Sequence, residues 1–122
     1  MEFVLNIEKR LGLSFLPEKE TLQESIINSF TPIDLLDYIY AVLHSPAYRE
    51  KYKEFLKIDF PRVPYPEDAR TLWELVELGG QIRQIHLLES PVVENYITQY
   101  PVDGNNIVSK PMYKDGNVYI NE

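Results

Sequence analysis

The chain has 122 residues, 44% of them hydrophobic, with nine Tyr, five Phe and one Trp, enough apolar material for the core of one domain. The absence of Cys excludes disulfides, thiolate nucleophiles and cysteine zinc sites, which fits a cytoplasmic protein. A formal net charge of −7 argues against non-specific nucleic-acid binding by the body as a whole, because phosphate affinity rests on Lys and Arg.

No apolar run is long enough to span a membrane, and the opening MEFVLNIEKR lacks the basic start and apolar stretch of a secretory signal. Residues 2–12 read as a short helix, with Phe3, Leu5, Ile7 and Leu11 apolar and Gly12 at the C-terminal stop. Leu13–Pro17 reads as extended. Glu18–Phe30 is a weaker helix candidate, with Leu22, Ile26, Ile27 and Phe30 at helical spacing. Thr31-Pro32-Ile33-Asp34 is a strong helix start: a capping hydroxyl, a proline for the first turn, and an acid that answers back toward the cap. That helix runs to about His44 and is apolar around most of its circumference, which predicts a central position.

Ser45-Pro46 repeats the cap-plus-proline signal and opens a helix over about 46–57. Tyr48, Tyr52, Phe55 and Leu56 form its expected inner stripe, and Arg49, Lys53 and Lys57 recur every four residues on another face. Residues 59–66, DFPRVPYP, are too proline-rich for regular helix. Pro66-Glu67-Asp68 starts a third long helix to about Glu89, with Leu72, Trp73, Leu75, Val76, Ile82, Ile85 and Leu88 as a broad buried face. Gly79-Gly80 lies inside it. Each Gly there costs about 1 kcal/mol relative to Ala, so the pair marks either close approach of a neighbouring helix or a kink. After Pro91 the texture is β-prone. Tyr96–Tyr100, Ile107–Tyr113 and Val118–Asn121 are candidate strands, and residues 103–106 and 114–117 are turns, the second a hairpin signal. The expected fold is mainly α: three to five helices over 1–89, with a small β-hairpin or short sheet in 92–122.

The supply of catalytic groups is thin. The two His, His44 and His86, read as structural, His44 at a helix C-terminus where a cation suits the dipole. There is no His-Glu-x-x-His spacing for a metal and no Gly-rich phosphate loop. We therefore assign no catalytic, cofactor-binding or metal residue. Two patches suit nucleic acid. Residues 46–62 hold five bases (Arg49, Lys51, Lys53, Lys57, Arg62) against three acids (Glu50, Glu54, Asp59), a local +2 that leaves −9 on the rest. The alternative is a solvated helix on which Glu50 and Glu54 pair with Lys53 and Lys57 at i,i+3. The second patch is Asn105, Asn106, Ser109, Lys110, Tyr113, Lys114 and Asn117 in the C-terminal turns. Amide and hydroxyl side chains read base edges; they are also ordinary turn formers.

The stretches DLLDYIYAVLHSPAYREKYKEFLKIDFPRVPYP and LWELVELGGQIRQIHLLE closely resemble the C-terminal region of bacterial adenine-specific DNA methyltransferases. The nearest group is the type ISP restriction-modification enzymes, with fused helicase, methyltransferase and specificity domains, and related stand-alone methylases. Residues 30–89 carry the resemblance well, 107–121 moderately through KDGNVYIN, and 1–29 loosely through LGLSF. The resemblance implies a target-recognition role. The catalytic Asn/Asp-Pro-Pro-Tyr/Phe motif and the S-adenosylmethionine-binding motif of that family lie upstream of this region, and neither occurs in these residues.

The expectation is therefore a single domain, 1–122, that is part of a larger enzyme. It recognises or positions DNA for a fused adenine-N6 methyltransferase and is itself non-catalytic. S-adenosylmethionine belongs to the parent enzyme, and the partners are DNA, in the full-length context, and the methyltransferase domain of the same polypeptide. The alternative is an intramolecular scaffold that packs on that domain without touching DNA. The candidate DNA-binding residues are Arg49, Lys53, Lys57, Arg62, Asn105, Asn106, Ser109, Lys110, Tyr113 and Lys114.

Overall fold

The structure, a computed structural model, describes residues 2–17, 28–99 and 103–121. Helix α1 spans Glu2–Leu11, with Glu2 in its first turn and Lys9 and Arg10 in its last, each complementing the helix dipole. It stops at Gly12, whose φ of 66° favours glycine and whose N–H closes back on the Glu8 carbonyl at 2.9 Å. Strand β1, Ser14–Phe15, pairs in parallel with β2, Ser29–Phe30. This corrects the end of the helix expected over 18–30. Residues 18–27 lie outside the described residues, but Ser29–Phe30 is strand. The physical reason is Thr31: as an N-cap it takes extended backbone (φ −112°, ψ 169°), so no helix runs through it into the next.

Helix α2, Pro32–His44, begins with the expected capping box. Thr31 Oγ1 accepts from the Asp34 N–H, and the Asp34 carboxylate accepts from the Thr31 N–H at 2.8 Å. Ser45 ends α2 and caps α3, Pro46–Lys51, accepting from the Tyr48 N–H. The α-helix expected to reach residue 57 breaks at Tyr52 into turns and a 3₁₀ segment, Phe55–Lys57. Hydrogen bonds from Lys53, Lys57 and Ile58 tighten to the i−3 carbonyl, as short helix ends do ahead of an extended exit.

The proline-rich exit is strapped down by tyrosines. Tyr48 Oη donates to the Arg62 carbonyl at 2.9 Å, and Tyr38 Oη to the Pro64 carbonyl at 2.7 Å. Tyr65 stacks on Phe3 at 4.7 Å between centroids, under the Arg10 guanidinium. Burial pushes the Tyr38 phenol up to about 12 from 10.0. A raised acid stabilises the fold fully below the unfolded value and loses that contribution as pH rises through the folded one. Stability should therefore fall between pH about 10 and about 12 by a step that Tyr38→Phe removes. The same variant should cost about 1 kcal/mol at neutral pH for the lost hydrogen bond, read by urea unfolding.

Helix α4, Ala69–His86, starts three residues later than the expected Pro66, because the chain stays extended until Asp68 caps it. The Asp68 carboxylate accepts from the Thr71 N–H at 2.7 Å, which holds its carboxyl below the usual range. The helix also ends short of the expected Glu89: Leu88 sits at φ 60°, a left-handed position that costs a β-carbon residue about 1–2 kcal/mol and terminates the spiral.

Helices α2 and α4 pack closely because Gly79 removes the side chain between them. A Cβ there would fall within 1.8 Å of the Asp37 carbonyl oxygen. Close approach, not a kink, explains the pair. Beside it Asp37, 5% exposed, receives a bidentate guanidinium: Arg83 Nε donates to Oδ1 at 2.6 Å and an Nη to Oδ2 at 3.1 Å. The core joins Ile7, Leu13, Phe30, Tyr38, Val42, Tyr48 and Leu72 from all these elements. Burial is narrower than the apolar pattern predicts. Tyr48 is buried, but Tyr52, Trp73, Ile85 and Leu88 are exposed and Phe55 is half-buried. On α2, Ile33 and Leu36 also face solvent. Four helices do not offer enough opposing surface to cover every apolar side chain.

The C-terminal segment carries one antiparallel hairpin, β3 (Met112–Lys114) with β4 (Asn117–Tyr119), Tyr113 opposite Val118. Asp115 (φ 52°) and Gly116 (φ 82°) make the tight turn, the left-handed pair that matches strand twist. The longer strand expected over 107–113 is confined to its end. Pro111 removes a ladder donor, and the Ile107 N–H is taken by the Asn105 side chain at 3.0 Å. Residues 96–99, expected as strand, are irregular, and Tyr100 lies outside the described residues. Among the described residues, four helices with a small hairpin make the fold mainly α, as expected.

Candidate nucleic-acid interface

Arg49, Lys53 and Lys57 remain on one side of the chain despite the break after α3. With Pro46, Glu50 and Leu56 they line a shallow groove, and all three bases are exposed. Lys57 Nζ pairs with the Glu54 carboxylate at 2.8 Å and Lys53 Nζ with Glu50 at 3.8 Å. These are the i,i+3 pairs of the solvated-helix alternative. Exposed pairs of this kind contribute only about 0.2–1 kcal/mol, so either lysine can exchange its carboxylate for a phosphate at little cost. Lys51 lies 5.4 Å from the Tyr52 ring centroid and Arg62 5.6 Å from that of Phe55. Arg62 also borders a second cleft, with Tyr48, Tyr52 and Phe55.

Of the C-terminal candidates, Asn105 and Asn106 line a different cleft, with Gly104, Ile107, Val108, Ile120 and Asn121. Asn106 is held left-handed at φ 58°. Ser109 donates to Asn121 Oδ1 from both its N–H, at 3.0 Å, and its hydroxyl, at 3.1 Å. Lys110 continues the hairpin pairing through its N–H to the Ile120 carbonyl. Tyr113 and Lys114 lie on β3 and Asn117 on β4, all exposed. The structure thus brings Arg49, Lys53 and Lys57 to one groove and Asn105 and Asn106 to another, while Arg62 borders a third cleft and Ser109, Lys110, Tyr113 and Lys114 line none of these.

Two features escaped the sequence reading. Asn121 shares the cleft of Asn105 and Asn106 and orients Ser109; its signal was a third amide one strand away. Ile58 and Phe60, at 84% and 86% exposed, stand on the rim after the basic groove. Phe60 sits between Asp59 and Pro61 in a segment that no periodicity buries, which was the available signal.

The two histidines meet at the C-terminal ends of α2 and α4. His86 Nδ1 shares a hydrogen bond with Tyr40 Oη, His44 Nδ1 one with the Tyr40 carbonyl, and the His rings lie 5.4 Å apart. Among the described residues no group of three or more His, Cys, Asp and Glu side chains is arranged to hold a metal ion, and no helix is long and apolar enough to cross a membrane.

A family model described as the type ISP C-terminal specificity domain matches residues 11–122. No curated protein and no solved structure matches the chain. That match takes in α2, α3, the tyrosine-strapped exit, α4 and both clefts, and on it the chain belongs to the type ISP C-terminal specificity domain family.

Proposed function

We propose that this domain recognises or positions the DNA target for an adenine-N6 DNA methyltransferase within a restriction-modification enzyme, and that it performs no chemistry itself. The observation that carries the reading is family membership across residues 11–122. Two local features support it. The α3 groove offers exposed cations of the type that contact a phosphate backbone. The 104–121 cleft offers amide side chains of the type that pair with base edges. On this reading S-adenosylmethionine and the catalytic groups belong to the methyltransferase domain of the same polypeptide, and the net charge of −7 makes DNA contact depend on the full-length enzyme.

The test uses that full-length enzyme. Changing Arg49, Lys53 and Lys57 together to Ala should weaken binding to all duplexes alike. It should also lower the slope of log affinity against log salt by about 1 for each phosphate no longer neutralised. Changing Asn105 or Asn106 to Ala should instead alter which sequence is preferred. Variants with unchanged affinity, salt slope and sequence preference would favour the second reading, an intramolecular scaffold. That reading has its own support: Ile33 and Leu36 on α2 and Leu78 on α4 are exposed apolar side chains suited to packing on another domain.

A further inference from the structure

Among the described residues the segment from Lys57 to Arg62 carries the most exposed apolar side chains of the helical part, and it is held rather than loose. The Ile58 and Asp59 N–H groups both donate to the Phe55 carbonyl at 3.1 Å. The Phe60 N–H donates to the Asp59 carboxylate at 2.8 Å. Pro61 fixes the next backbone angle, and Tyr48 and Tyr38 anchor the carbonyls of Arg62 and Pro64. This frame presents Ile58 and Phe60 to solvent at 84% and 86% exposure. Burial within the chain does not explain them.

Their surroundings select the occupant. Lys57 precedes the pair and Arg62 follows it, and Lys57 also lines the basic groove with Lys53 and Arg49. Glu54 pairs with Lys57 in an exposed bridge that a phosphate can replace at little cost, and the Asp59 carboxylate is turned back onto the Phe60 N–H. An exposed apolar tip flanked in sequence by Lys57 and Arg62, with net charge +1 over residues 57–62, complements a polyanion with an apolar interior, which describes a base stack between two phosphate backbones. Phe and Ile are among the side chains that wedge between base steps when flanking Lys and Arg hold the phosphates. The frame also lowers the ordering cost of insertion, since the tip's backbone is fixed before DNA arrives.

We propose that the Ile58–Phe60 tip is an insertion wedge for duplex DNA, Phe60 entering a base step while Lys57 and Arg62 take the adjoining phosphates. The proposal rests on the DNA-recognition reading and adds a mode of contact to it.

The experiment uses full-length enzyme and target duplexes carrying 2-aminopurine at successive positions. Wild-type binding should raise fluorescence at one unstacked step. Phe60→Ala should abolish that rise and weaken binding about 5- to 150-fold, the range for losing one aromatic–base stack. Phe60→Leu, which can still wedge but cannot stack, should retain most of the rise and lose part of the affinity. A Phe60→Ala enzyme with the wild-type rise and affinity overturns the wedge. So does one whose only change is easier thermal unfolding without DNA, which would make the tip a packing contact on another domain. If wild type binds and the Arg49/Lys53/Lys57 variant loses affinity, yet no step brightens, the wedge falls and DNA recognition stands. If wild-type enzyme binds no target duplex, the recognition reading falls with it.

Discussion

Gly79→Ala should unfold the domain at markedly lower urea concentration than wild type, and Gly80→Ala should not. The new Cβ at position 79 would lie 1.8 Å from the Asp37 carbonyl oxygen and 2.6 Å from its carbon, and neither atom belongs to a side chain that can swing aside. Helices α2 and α4 would have to separate and give up part of the Tyr38, Val42 and Leu72 core. Overpacking of this kind costs typically 1–3 kcal/mol and more where backbone meets backbone. The helix-propensity gain of about 1 kcal/mol offsets only part of it. A net loss of about 2 kcal/mol or more is expected, larger again for Leu. At position 80 the added carbon would lie 3.1 Å from Asp37 Oδ2, a side-chain atom. There the propensity gain should roughly balance the contact. Equal stability for wild type and Gly79→Ala would mean that the helices are not packed as described.

Arg83→Ala should be the most damaging loss of a polar side chain, at about 3 kcal/mol in the same unfolding assay. It leaves the Asp37 carboxylate, 5% exposed, with neither of its two guanidinium hydrogen bonds. Stranding one member of a buried pair costs about 3–5 kcal/mol. The lower end is expected because the Arg83 side chain keeps 25% exposure, so water reaches part of the site. Asp37→Ala should cost less, since Arg83 can turn its head to solvent along its flexible stem. Replacing both, Asp37→Leu with Arg83→Met, should recover most of the loss, since apolar replacement of a buried pair is often neutral. Additive single losses in that double variant would show that the two side chains do not interact.

The caps and prolines made much of this architecture legible from residue order. Thr31-Pro32-x-Asp34 and Ser45-Pro46 announce helix starts through local hydrogen bonds that need no distant partner. The cost of the glycine pair inside a helix was also legible, as a sign of a close neighbour or a kink, and the Asp37 backbone against Gly79 decides for the first. Features set by distant contacts were less readable. Ser29–Phe30 has helix-compatible spacing, but its pairing with Ser14–Phe15 depends on a return of the chain. Asp37 lies in the middle of an apolar helix, and the partner that makes it a buried ion pair lies forty-six residues on. Tyr52 and Trp73 fit an inner face by period, yet each sits at its edge, and period alone does not locate that edge.

The candidate site divides in the same way. The basic stripe was readable because a four-residue repeat survives small changes in helix geometry, and Arg49, Lys53 and Lys57 do share one groove. The ion pairs within it were readable too, from the Glu residues three positions before each Lys. The grouping of Asn121 with Asn105 and Asn106, and the framed tip at Ile58–Phe60, depend on turns that bring back or expose particular side chains. Composition gave no access to either.

The central claim, that this domain itself touches DNA, is tested most directly by ultraviolet crosslinking of the full-length enzyme to its target duplex, with the attached peptides identified by mass spectrometry. Crosslinks within residues 49–62 and 105–114 are predicted, and they should vanish under excess unlabelled target duplex but persist under the same excess of an unrelated duplex. Crosslinks found only outside this domain, in an enzyme that still binds its target, would contradict the account and leave residues 1–122 as a scaffold.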